Sequence, residues 1–137
     1  METHMRAAFF TLLLAISGAS AGEPFLTIPK SDAVDRMVVK TGYIETDEVV
    51  IKDPKRVERL LDFLKARNDG WEKPPSFTFP TPYRTILLKK DKKLVLVLWQ
   101  GPNWLGSRDA TGHDKRTRSL SEKDLAELLD ILGLGKQ

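Results

Sequence analysis

Apolar residues recur along this chain with two different periods, and the changes of period divide it into elements. Val57, Leu60, Leu61 and Leu64 fall at i, i+3, i+4 and i+7, one face of an α-helix. Asp53 stands before them as an N-cap and Pro54 suits the first helical position. Asn68-Asp69-Gly70 supplies left-handed C-cap residues and Arg67 complements the negative end of the dipole, so the helix is expected to end near Arg67 or Asn68. A second stripe, Leu125, Leu128, Leu129 and Leu132, follows a Ser121-x-x-Asp124 capping pattern and is stopped by Gly133.

Between and before these stripes the pattern shortens to that of strands. Residues 37–44 (MVVKTGYI) and 47–51 (DEVVI) are β-branched runs with a bend at Glu45-Thr46. Residues 83–89 and 93–99 predict a hairpin about Lys90-Asp91-Lys92, and residues 115–120 (KRTRSL) a last strand. The segment 101–114 (GPNWLGSRDATGHD) reads as a long loop, and 73–82 (KPPSFTFPTP) as a stiff extended connector pinned by Phe77 and Phe79. The order β-β-α-β-β-β-α predicts a single α+β domain in two layers: an antiparallel sheet of four to five strands with two amphipathic helices on one face.

In residues 93–99 (KLVLVLW) alternation puts Leu94, Leu96 and Leu98 toward the helices and Val95, Val97 and Trp99 on the other side. That second apolar face is either a contact surface for a partner, a homo-oligomer interface, or a surface covered by the N-terminal arm or the proline-rich connector.

The start of the chain has a different character. Arg6, an apolar run over residues 7–16 and Ala19-Ser20-Ala21 have the form of a cleavable secretory signal peptide over residues 1–21, with a start at Met5 fitting better than one at Met1 because Glu2 is out of place. Ten residues, apolar but for Thr11, are too few to span a bilayer, so no stable membrane insertion is expected after cleavage. The exported chain would comprise an extended arm over residues 22–35 and the domain over 36–137, free in the periplasm or secreted. With no cysteine, neither a lipid anchor nor a disulfide holds it, and thiol chemistry is excluded.

The formal net charge of +3 is a mild basic bias, compatible with an acidic protein or an anionic envelope component as partner. It falls short of a nucleic-acid-binding signature, and the exported address argues the same way. No G-x-S-x-G, H-E-x-x-H, Walker loop or zinc-ligand spacing is present, so no cofactor or metal is expected. His113 is the histidine left after the leader, and Ser107, Asp109 and Asp114 stand near it. Members of a catalytic triad come from separate elements, however, and one loop does not fix their geometry.

The stronger signal is Trp99, Trp104, Arg108, His113, Lys115, Arg116 and Arg118, aromatics interleaved with cations of the kind that anchor binding. The expected function is a non-enzymatic binding module. The alternatives are a small hydrolase or lyase acting on an envelope polymer through His113, and a homo-oligomeric structural protein.

Overall fold

The computed structural model describes residues 25–42, 47–73 and 80–134. The leader, the Glu45-Thr46 bend and residues 74–79, with Phe77 and Phe79, lie outside them. In chain order the elements are β1 (Arg36–Thr41), β2 (Asp47–Ile51), α1 (Pro54–Ala66), β3 (Arg84–Lys90), β4 (Lys93–Gln100), β5 (Trp104–Asp109), β6 (Lys115–Ser119) and α2 (Glu122–Ile131). The strands form one antiparallel sheet in the order β2-β1-β3-β4-β5-β6.

The α+β architecture is as expected, with one strand more. The segment 101–114 is not a single loop: residues 104–109 are β5, held between β4 and β6. Gly106 and Ser107 lack strand propensity, and pairing on both sides overrides it. Only Gly101-Pro102-Asn103 and the residues from Ala110 to Asp114 remain as turns.

α1 begins as its sequence requires. The Asp53 carboxylate accepts the Lys55 N–H at 3.1 Å, and Pro54 occupies the first helical position, where no N–H is needed. Val57, Leu60, Leu61 and Leu64 are buried, joined by Phe63. Full burial of a leucine such as Leu60 or Leu64 contributes about 1.5–3 kcal/mol. In α2 the Ser121 hydroxyl accepts the Asp124 N–H at 3.1 Å, and Gly133 closes the helix at φ 80°. Its buried face is rotated from the expected stripe: Leu128, Ile131 and Leu132 are buried, while Leu125 and Leu129 are only partly so.

Both helices cover the sheet face that carries Met37, Val39, Ile51, Ile86, Leu88, Leu96, Leu98 and Leu105. The arm belongs to this same side, since Leu26 joins the core and its N–H donates to the Asn68 carbonyl at 2.9 Å. The opposite face carries Val38, Val50, Leu87, Val97 and Trp99, and neither helix lies on it. Val38 and Val97 are nonetheless buried, so the centre of this face is not the open patch the alternation suggested. The alternation itself is broken: the β3–β4 register shifts between Leu88 and Lys89, leaving Val95 outside the pairing and packed against the helix-side core.

Arg67 ties the two helices together. Its Nη2 donates to Asp124 at 2.8 Å and to Glu127 at 3.1 Å, its Nη1 donates to the Phe63 carbonyl, and its guanidinium lies 3.9 Å from the Phe63 ring centroid. The Arg67 hydrogen bond holds the Asp124 carboxyl below the usual carboxylate range against the opposing effect of burial, with the charge of Arg67 and the Ser121 cap acting in the same direction. The folded state thus binds this proton less readily than the unfolded chain. The pair stabilises the domain above the ordinary carboxylate pKa, and that contribution is lost as pH falls through the depressed one.

Asp124→Asn is expected to cost about 1 kcal/mol at pH 7 and progressively less as the pH falls from there through the depressed carboxyl pKa. Urea titrations of both proteins across that range measure the difference, and a gap independent of pH would sink the assignment. Comparison with wild type is needed because Asp35 and Asp109 are also held below the usual carboxylate range and so make stability depend on acid pH in the same direction.

Candidate functional site

The aromatic and cationic residues singled out in the sequence do not form one cluster. Trp99 and Arg108 lie on the face away from the helices, where Trp99 pairs with Gly106 and Arg108 with Lys115. A glycine across from an indole leaves room above the strand, which explains the residue at 106. Arg108 donates to the Asp109 carbonyl at 3.1 Å.

His113 sits exposed in the β5–β6 turn, which Asp109 organises. That carboxylate accepts from the Thr111 hydroxyl and from the backbone N–H groups of His113 and Asp114. Burial raises the Asp109 pKa, but the amides of Asp114, Gly112 and His113 and the Thr111 hydroxyl outweigh it and hold the carboxyl low. Ser107 is fully buried opposite Leu98, its hydroxyl without a partner among the described residues, so Ser107 and His113 do not assemble as nucleophile and base. Among the described residues no three His, Asp or Glu side chains gather into a metal-binding group.

Arg116 and Arg118 serve the fold. Arg116 pairs with Asp114 at 2.8 Å and donates to the Phe25 carbonyl at 3.2 Å, fastening the arm to β6. Arg118 reaches across to the end of α1, where its Nη1 donates to the carbonyls of Arg67 at 2.6 Å and Asp69 at 2.7 Å. Those are orphan acceptors of a helix terminus, and a guanidinium there satisfies them while opposing the negative end of the dipole. Its Nε donates to the Ser119 carbonyl at 3.3 Å, and its Nη2 makes no hydrogen bond with a described residue.

Trp104 and Arg118 border one cleft from opposite faces of β5 and β6, since Leu105 of the helix side pairs with Arg118 whereas Trp104 pairs with Ser119. Trp71 is 1% exposed and donates its indole N–H to the Arg67 carbonyl at 2.8 Å. The next residue, Glu72, exchanges two backbone hydrogen bonds of 2.8 Å with Thr117, so the chain leaving α1 lies along the outer edge of β6. The result is a cleft of about 360 Å³ lined by Gly70, Glu72, Asn103, Trp104, Thr117, Arg118 and Ser119. Residues with an aromatic ring, a guanidinium, a carboxylate, an amide and two hydroxyls thus line a space fit for one small polar ligand unit, with the Arg118 Nη1 already 3.7 Å from the Asp69 carboxylate.

Of the residues expected to bind, this cleft unites Trp104 and Arg118 and leaves out Trp99, Arg108, His113 and Arg116. Glu72 and Asn103 were not anticipated, because the segment carrying Glu72 is brought there by non-local pairing and Asn103 looked like an ordinary turn residue. A second hollow of about 370 Å³ at the start of α1, lined by Asp32, Asp35, Lys55 and Glu58 among others, contains none of the expected residues. Comparison of the chain with protein-family models, curated proteins and solved structures finds no match.

Proposed function

We propose that this is an exported, non-catalytic binding module that takes an acidic sugar unit of an envelope or extracellular glycan in the Trp104–Arg118 cleft. The observation that carries the reading is a polar cleft at the β6 edge whose lining includes Trp104, Glu72 and an Arg118 already immobilised by backbone carbonyls. A sugar ring offers a face of C–H groups suited to an aromatic surface, a rim of hydroxyls suited to Glu72, Asn103 and Thr117, and, if acidic, a carboxylate suited to a single hydrogen bond from Nη2 of Arg118. Three backbone carbonyls fix Arg118 before any ligand arrives, which reduces the ordering cost of binding. The hydrolase alternative draws less support, since His113 is exposed in a turn and lines neither hollow described above.

Titration calorimetry of the chain from Gly22 onward against uronic-acid, sialylated and muramic-acid oligosaccharides, each beside its neutral methyl ester, tests the proposal. At least one acid form should bind at least tenfold more tightly than its ester, and Trp104→Ala should weaken that binding at least tenfold, about 1.4 kcal/mol, while the circular dichroism of a folded domain persists. Equal affinity for acid and ester, failure of every acidic sugar, or indifference to Trp104→Ala would overturn it.

A further inference from the structure

The two edges of the sheet are treated differently. The β6 edge is occupied where Glu72 pairs with Thr117, whereas β2 ends the sheet on the other side and no described strand pairs with its outer edge. β2 carries Val49 and Val50 side by side, 56% and 49% exposed, one on each face. An unpaired edge presents main-chain donors and acceptors to any strand, and exposed β-branched residues make it a good template. On the helix side the strand also borders an apolar groove of about 240 Å³ lined by Val39, Val49, Ile51, Leu132 and Leu134 with Thr41 and Arg56.

We infer that β2 is a self-association edge, pairing antiparallel with β2 of a second copy to make a continuous twelve-stranded sheet with the helices of both copies on one side. The charge pattern selects the occupant and the register. An antiparallel two-fold that keeps the faces aligned pairs residues of the same face. With Val50 opposite Val50 of the second copy, Glu48 meets Lys52 and Lys52 meets Glu48, while Val49 meets Ile51 at the mouth of the groove. Glu48 already contacts Lys40 of its own chain at 3.7 Å, so the two-fold extends that pair into a row of alternating charge. Asp47 then stands across from Asp53, whose carboxylate is turned to its own helix. Moving the register by two residues sets Glu48 against Val50 and loses both ion pairs.

The absence of cysteine allows a direct test. Val50→Cys introduces the only thiol, at the position where antiparallel partners lie close enough for a disulfide. Sedimentation velocity of the wild-type chain should show a concentration-dependent dimer. Mild oxidation should convert Val50→Cys to a covalent dimer at least tenfold faster than Lys92→Cys, in the exposed β3–β4 turn. Lys52→Glu should raise the dimer dissociation constant several-fold, and the exchanged pair Glu48→Lys with Lys52→Glu should restore it. A wild-type chain that stays monomeric at every concentration, including one whose edge accepts only a strand of a different protein, overturns the inference. So do equal oxidation rates at the two positions.

Discussion

Trp71→Ala is expected to lower the unfolding free energy by about 3–5 kcal/mol, read as a fall in the urea midpoint at unchanged slope. Trp71 is almost fully buried directly after α1, and alanine leaves a void that the strands and the helix end cannot close. The indole also donates to the Arg67 carbonyl, which would keep only the Arg118 guanidinium as donor. Trp71→Phe separates the two contributions: it keeps most of the volume, loses the N–H, and should cost about 1–1.5 kcal/mol. Because Gly70 and Glu72 flank this residue and line the cleft, Trp71→Ala should also lower ligand affinity without touching a ligand contact. A loss below about 1 kcal/mol for the alanine variant would show that Trp71 does not lock the chain to β6.

Gly101→Ala should cost about 1–3 kcal/mol through overpacking. A Cβ at Gly101 falls within the indole of Trp104, on Nε1, Cε2 and Cδ1, and no flexible side-chain end is available to give way. Either the indole moves off Gly101 or the β4–β5 turn opens, in which the Gly101 N–H donates to the Trp104 carbonyl at 3.0 Å. The double variant Gly101→Ala with Trp104→Ala removes the obstacle. It should be more stable than the sum of the single losses by about 1 kcal/mol or more, the sign of direct coupling. Strict additivity in denaturant unfolding would refute the contact.

The helices were legible in the sequence because everything that starts, stops and orients them is local. Asp53-Pro54 and Ser121-x-x-Asp124 cap them, Gly133 ends the second, and the leucine spacing marks the buried face of α1, while in α2 the buried face turns from that stripe toward Ile131. β5 was not legible, because Gly106 and Ser107 interrupt the strand pattern and turn residues flank the segment, so only its neighbours reveal it. The inward set of β4 was half legible: one register shift moved Val95 to the helix side. For the site, residue type directed attention to Trp104 and Arg118, but most of the cations near them serve other ends. Arg116 holds the arm, Arg67 bridges the helices, and Arg118 finishes α1. Glu72 was hidden because its meeting with Thr117 joins positions far apart in the chain.

The order of strands also bears on how the domain assembles. Every neighbouring pair is consecutive in the chain except β1 and β3, which are joined across α1 and the segment that follows it. The molecule is thus two locally closing pieces, the β1–β2 hairpin and the meander from β3 to β6, meeting along one seam where Met37 faces Leu88 and Val39 faces Ile86. Forming that seam carries the entropy of closing the long connection, whereas each hairpin closes only a short one. Cooperativity of the whole fold therefore concentrates at four buried side chains one strand in from the open edge, three strands away from the edge that carries the cleft.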